Sequence, residues 1–158
     1  MTTFIIPSIN RKTLKRAVDS AEATGATVSI LLDIDRVGES TMRNELAKQA
    51  KTPWLSYLDD DDTITSDYVE RLEEEIANHP EADVIHFRQY FCDTGHILPT
   101  WPEVTWGNIG IAFSVKKDIA LKYPFQTEEH EDYKFIKRIQ EAGHNIHFSK
   151  YITYRVRH

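Results

Sequence analysis

The apolar positions along this chain change period several times, and each change marks an element. Thr3-Phe4-Ile5-Ile6-Pro7 is a short continuous apolar run closed by a proline. That is the pattern of a buried parallel strand ending near Pro7. Behind the candidate caps Ser8, Asn10 and Thr13, the residues Leu14, Ala17, Val18 and Ala21 recur at helical spacing until Gly25, a good C-terminal stop. Val28 to Leu32 is a second apolar run, closing in Asp33-Ile34-Asp35. Ser40 or Thr41 can cap a helix with Met42, Leu46, Ala47 and Ala50 on its inner face, broken by Pro53. Trp54 to Leu58 then runs straight into Asp59, Asp60, Asp61 and Asp62. The order strand, helix, strand, helix, strand implies parallel strands with right-handed crossovers. In open sheets of that kind, ligands sit beyond the carboxyl ends of the strands. Asp33, Asp35 and the four aspartates all fall there.

Asp67 with Glu70 resembles a capping box, and Val69, Leu72 and Ile76 form the stripe of a helix whose outer face holds Glu73, Glu74 and Glu75, expected to be solvated. Residues 83–91 alternate as a strand, and residues 95–106, with Pro99 and Pro102, read as a long loop of the kind that often carries function. Trp101 and Trp106 in that loop could stack on a sugar or nucleobase, against the more ordinary role of packing. A short strand over 111–115, a brief helix over 116–123, and a helix opened by the acidic stretch 126–132 follow, with Phe135, Ile136 and Ile139 inside and Gly143 at its end. Acids at a helix start also suit its macrodipole. Residues 144–148 and 151–156 read as two final strands, which would point His144 and His147 to opposite faces and make them a poor metal pair.

The chain has 158 residues, 41% of them hydrophobic and 28% charged, which suits one soluble globular domain. A formal charge of -6 and no basic stripe argue against a general nucleic-acid partner, while leaving room for a nucleotide whose phosphates are neutralised by a metal. The single Cys92 cannot form an internal disulfide and is expected to be a small core residue. With no signal peptide and no long apolar span, the expected setting is the cytoplasm, without a transmembrane segment.

Four adjacent carboxylates repel one another, so a divalent cation is the simplest compensating partner, and hard oxygen ligands favour magnesium, manganese or calcium over zinc. The plainer alternative is a solvated acidic turn capping the next helix.

Taken in order, Phe4-Ile5-Ile6-Pro7-Ser8-Ile9-Asn10-Arg11, the aspartate ending the second strand, Met42-Arg43-Asn44, Leu58-Asp59-Asp60-Asp61-Asp62 and Glu131-Asp132 resemble the ordered signature of the inverting family 2 glycosyltransferases. The resemblance implies a GT-A, Rossmann-like α/β fold with a mostly parallel central sheet flanked by helices, spanning 1–158 as a minimal or C-terminally truncated domain. It also implies an inverting, hexosyltransferase-like transfer of a sugar from a nucleoside diphosphate donor, in first place a UDP-sugar, to a saccharide or other hydroxyl acceptor, with Mn2+ or Mg2+. Pro7 and Asn10 would line the nucleotide pocket, Asp33 would bind the base, Arg43 would lie at the rim, and Asp59 would sit near the ribose with Asp60 beside it. Asp61 would hold the metal that bridges the diphosphate, with Asp60 or Asp62 as alternatives within the run, and His158 as a further ligand. Asp132 would be the general base, supported by Glu131. Displacement of a nucleoside diphosphate requires such a division of labour, because the leaving charge must be neutralised on one side and the acceptor hydroxyl deprotonated on the other. Two other assignments remain open: a non-catalytic nucleotide-sugar binding module, in which Asp132 is only a helix cap, and a receiver-like phospho-acceptor domain, for which Lys150 is the nearest late-strand lysine.

Overall fold

The computed structural model of the chain describes residues 1–157. The strands are β1 (Thr2–Ser8), β2 (Thr27–Leu32), β3 (Trp54–Tyr57), β4 (Thr63–Ile64), β5 (Val84–Phe91), β6 (Ile97–Leu98), β7 (Phe113–Lys116) and β8 (Ile146–Val156). The helices are α1 (Leu14–Glu22), α2 (Glu39–Gln49), α3 (Tyr68–Asn78), α4 (Lys117–Lys122) and α5 (Glu131–Glu141). They form one sheet in the order β2-β1-β3-β7-β5-β8-β4, with β6 paired to β5. The parallel block expected from the alternating pattern is present as β2, β1 and β3. The sheet as a whole is mixed. β7 enters antiparallel between β3 and β5, β8 returns parallel to β5, and β4 and β6 pair antiparallel at their edges.

Pro7 does not end β1, which continues to Ser8. Ile5 accepts a hydrogen bond from the Leu58 amide on the β3 side, so the missing N–H of Pro7 faces the same side, one step past the last β1–β3 pair. Residues 144–156 are not two strands. From Ile146 onward they form one strand, whose register against β5 shifts near Arg88. Helix α1 touches both β2 and β4, from opposite edges of the strand order, so the sheet is curled.

Aromatic side chains close both faces. Tyr68 of α3 packs between Phe4 and Phe87 at 5.0 and 4.9 Å on one side. On the other, Phe125 stacks on Phe135 at 4.0 Å, with Tyr57 edge-on to both. Fully burying such rings supplies the main favourable term for the fold.

Several local expectations fail. Asp67 flanks α3 without a side-chain capping bond and is paired instead with Thr65 and Arg71. Helix α2 is entered through Gly38 at φ 88°, a conformation open to glycine, and Ser40 is turned to another use. Cys92 is exposed rather than in the core. Glu75, expected on a solvated face, is 6% exposed. The 95–106 loop includes β6 and is held by buried Asn108 just beyond it, which accepts from the Thr100 amide and donates to the Trp101 and Glu103 carbonyls.

Candidate active site

The carboxyl ends of β1, β2 and β3 lie together, and the residues following them behave very differently. Just past β3, the aspartates diverge. Asp60 is buried and holds the chain after β1: Oδ2 accepts from the Ser8 hydroxyl at 2.6 Å and the Ile9 amide at 3.2 Å, and Oδ1 accepts from Arg11 at 3.2 Å. Asp62 turns the other way and accepts the Arg157 amide at 2.8 Å beyond β8. Burial pushes its carboxyl up to about 6, against the amide that lowers it. Asp59 points to α2, and its amide donates to the buried Tyr154 hydroxyl at 3.1 Å. Asp61 keeps a partly exposed carboxylate, contacted by the Arg11 guanidinium, and its carbonyl accepts from Arg16 at 2.8 Å. The four consecutive acids thus diverge, and Asp59 and Asp61 keep partly exposed carboxylates, each paired with an arginine, Arg43 and Arg11.

Asp33 sits just past β2, as expected, but its carboxylate accepts the Val37 and Gly38 amides at 2.6 and 3.0 Å, so it also shapes the turn into α2. Asn10 adopts φ 63°, its amide held by the Ser8 hydroxyl at 2.9 Å. Pro7 is buried in β1. His158, the expected further metal ligand, lies outside the described residues.

Arg43 does not lie at a rim. It is 3% exposed, at the centre of the site, with its guanidinium 5.1 Å above the Phe125 ring. Nη2 meets Asp59 at 2.8 Å and Glu39 at 3.3 Å, and Nη1 meets Glu131 at 3.3 Å and Asp132 at 3.6 Å. Burial would lower its affinity for a proton, but Asp59, Asp132 and Glu39 outweigh that and raise it, so the cation is permanent. The same helix face anchors the chain leading to α5. The Ser40 hydroxyl donates to the Gln126 carbonyl at 3.0 Å, and the Asn44 amide exchanges two 2.9 Å hydrogen bonds with the Phe125 backbone. Helix α2 thereby brings together two acidic concentrations that are far apart in sequence, around Asp59 and around Asp132.

Asp132 opens α5 after His130, which is left-handed at φ 61°. Its side chain is 29% exposed, yet Oδ1 is sealed from solvent and accepts no hydrogen bond among the described residues. Burial pushes the carboxyl up to about 7; Arg43 pulls against this, while Asp59, Glu131 and Glu39 add to it. A cavity of about 200 Å³ opens beside it, lined by Trp106, Gly107, Ile109, His130 and Tyr133. Trp106 is 68% exposed and edge-on to His130 at 5.5 Å. The sequence singled out Trp106 but gave no reason to place it with Asp132. Arg11 and Glu39 were not marked as site residues either, since ordinary charged positions become visible only when the elements meet.

Such a site offers a carboxylate oxygen of Asp61 to a cation and, across Arg43, a proton acceptor at Asp132. Residues 28–152 match the profile of the family described as glycosyl transferase family 2. No curated protein sequence matches the chain significantly. Among solved structures, the fold is similar to S. aureus TarS 1–349, at 17% identity and a TM-score of 0.79, with 99% of this chain and 60% of that chain covered. The complex of TarS 1–349 with UDP-GlcNAc gives 16% identity and a TM-score of 0.81, covering 99% and 58%. This chain therefore spans about 60% of TarS 1–349. At such identities the likeness establishes the fold, that of the GT-A glycosyltransferases. The family match spans most of the sequence and agrees with the fold, and the chain belongs to glycosyl transferase family 2.

Proposed function

We propose that this domain transfers a sugar from a nucleoside diphosphate donor, UDP in the first instance, to an acceptor hydroxyl with inversion at the anomeric carbon. The observation that carries the proposal is the Arg43 clasp, which fixes the donor-side Asp59 and the base-side Asp132 around one buried cation. The TarS 1–349 structures, described as complexes with UDP-GlcNAc and with UDP, support the choice of donor class.

The uridine would lie over the ends of β1 and β2, beside Pro7, Asn10 and Asp33, with its ribose toward Asp59. Asp61, paired with Arg11 in the unliganded chain, is the carboxylate that would share a divalent ion with the donor. A single protein carboxylate suits Mn2+ or Mg2+, which bind through one or two carboxylates plus substrate phosphates rather than a full protein cage. Bound there, the ion would neutralise charge on the departing diphosphate, and Arg11 stands beside it. On the other side, Asp132 takes the proton of the acceptor hydroxyl. That oxygen forms its bond to the anomeric carbon as the bond to the diphosphate oxygen breaks, and the electron pair leaves with the diphosphate. Attack opposite the leaving group inverts the centre, as in inverting hydrolysis. A carboxyl held near 7 is well matched to this role, since a base works best with its pKa near the working pH. Trp106 gives the cavity an exposed aromatic face suited to a saccharide acceptor.

The second assignment, a nucleotide-sugar binding module without turnover, draws on the sealed Oδ1 of Asp132 beside Arg43. Asp132→Asn separates the two. In a transferase it leaves calorimetric donor affinity nearly unchanged and lowers transfer by about a hundredfold or more. Donor affinity falling in parallel would make Asp132 a binding residue, and a parent protein that transfers to no acceptor would favour the module.

A further inference from the structure

At the opposite end of the sheet from Asp61, two histidines and a carboxylate converge. We propose that Glu75, His79 and His147 form a binding site for a divalent transition ion of the zinc class, clipping the C-terminal end of α3 to the start of β8. The site rests on no part of the transferase assignment. β8 runs in the same direction as β3, so its start lies at the amino ends of the strands, away from the aspartates.

The three ligand atoms all lie within 4.8 Å of one another. Glu75 Oε2 is 2.9 Å from His147 Nε2 and 3.7 Å from His79 Nε2, and the two imidazoles stack at 3.6 Å between centroids. The supporting shell has the form that metal sites require. The Ser149 hydroxyl donates to Glu75 Oε1 at 2.6 Å, which fixes the carboxylate with Oε2 turned to the two histidines, where an ion would take the place of the proton it shares with His147. Glu81 lies 3.6 Å from His79 Nδ1, the ring nitrogen facing away from the cluster, as a carboxylate does behind a ligating histidine. Glu75 is 6% exposed, so it is a carboxylate taken almost wholly out of water, and a cation is the partner that best offsets that cost. Two imidazole nitrogens and one carboxylate oxygen form a set that zinc accepts with a fourth position open to water. Beside the cluster, a cavity of about 240 Å³, lined also by Asn78, Lys150 and Tyr151, leaves room for that water.

The test titrates the chelator-stripped 158-residue chain with Zn2+, followed by melting temperature, and with Co2+, followed by its visible absorption. A site that binds the folded chain alone raises the melting temperature by about 5 to 11 °C at a hundredfold excess over Kd. Co2+ should give a saturable four-coordinate spectrum. His147→Ala and His79→Ala should each weaken affinity by about tenfold or more, because loss of a ligand costs at least as much as loss of its supporting partner. Asp61→Ala should keep both responses. His79 is at the helix end with a third of its side chain exposed, so its variant keeps the test decisive if His147→Ala does not fold. The proposal is overturned if Co2+ gives no saturable spectrum, which would leave Glu75 and His147 as a proton-bridged pair. It is equally overturned if the response survives both histidine substitutions and disappears in Asp61→Ala.

Discussion

Replacing Asp132 by asparagine should stabilise the protein at alkaline pH while lowering transfer. In the folded chain the carboxyl ionises near pH 7, against 3.8 for an ordinary aspartate, because burial beside Asp59 and Glu131 outweighs Arg43. Between these values the folded state holds a proton that the unfolded state has released. Stability therefore falls as pH rises from about 4 through 7 and levels off above. At about 1.4 kcal/mol per tenfold change in proton affinity, the ionised Asp132 costs on the order of 4 kcal/mol at pH 8. Water reaching the exposed part of the side chain reduces this, so about 2 kcal/mol is the working expectation, or about 4 to 8 °C in melting temperature for a domain of this size. The parent and Asp132→Asn should match near pH 4, where Asp132 is protonated in the folded state and the unfolded chain has only begun to ionise, and separate progressively toward pH 8, the variant being the more stable. Asp62, whose carboxyl is raised to about 6, gives both proteins a further decline as pH rises from about 4 to 6, and this cancels in the comparison. Transfer by the parent should move in the opposite direction, rising with pH through about 7 as Asp132 loses its proton. Scanning calorimetry at four or five pH values checks the first part. A variant that is equally or less stable than the parent at pH 8 refutes the reasoning, because Asp132 would then be a favourably paired carboxylate.

Arg43→Ala should cost about 3 to 5 kcal/mol by urea unfolding, since it leaves Asp59, Glu131 and Asp132 facing one another without a cation, and the loss should be larger at pH 8 than at pH 5. Asp61→Ala should leave the melting temperature of the unliganded protein unchanged and abolish the Mn2+-dependent shift given by UDP, about 5 to 11 °C in the parent at a hundredfold excess; a shift retained in a chelator would remove the metal bridge. Asn44→Ala should lower stability by about 1 to 3 kcal/mol through the unpaired Phe125 backbone and reduce transfer more than donor affinity, seen as kcat falling with donor KM held.

Much of the fold is visible in the period of the apolar positions: the parallel trio of strands, α1, α2, α3 and α5, and the arrival of acids at strand ends. What is missed depends on contacts between distant residues. The two-residue β4 is too short to have a period of its own, and the strand expected over 111–115 is there as β7, but its reversed direction is set by the neighbours it pairs with. Arg43 carries no local signal for burial, because the carboxylates that hold it come from α2, α5 and the turn after β3. Glu75 looks like its solvated neighbours Glu73 and Glu74 until His147 and Ser149 arrive from β8. The acidic run itself reads as a cluster, yet its members part company within one turn, and that too is decided by what surrounds them.

The anchoring of the chain at Phe125 and Gln126 to a single turn of α2 has an evolutionary consequence. Ser40, Arg43 and Asn44 fix the approach to α5 directly, without using the loop between β6 and β7. That loop bears Trp106. Under the transfer proposed above, it would be free to lengthen, shorten or exchange residues facing the acceptor while Asp132 stays in register with the donor side. A lineage built on this plan would then change its acceptor by rewriting one loop, with the three residues of α2 serving as the fixed datum.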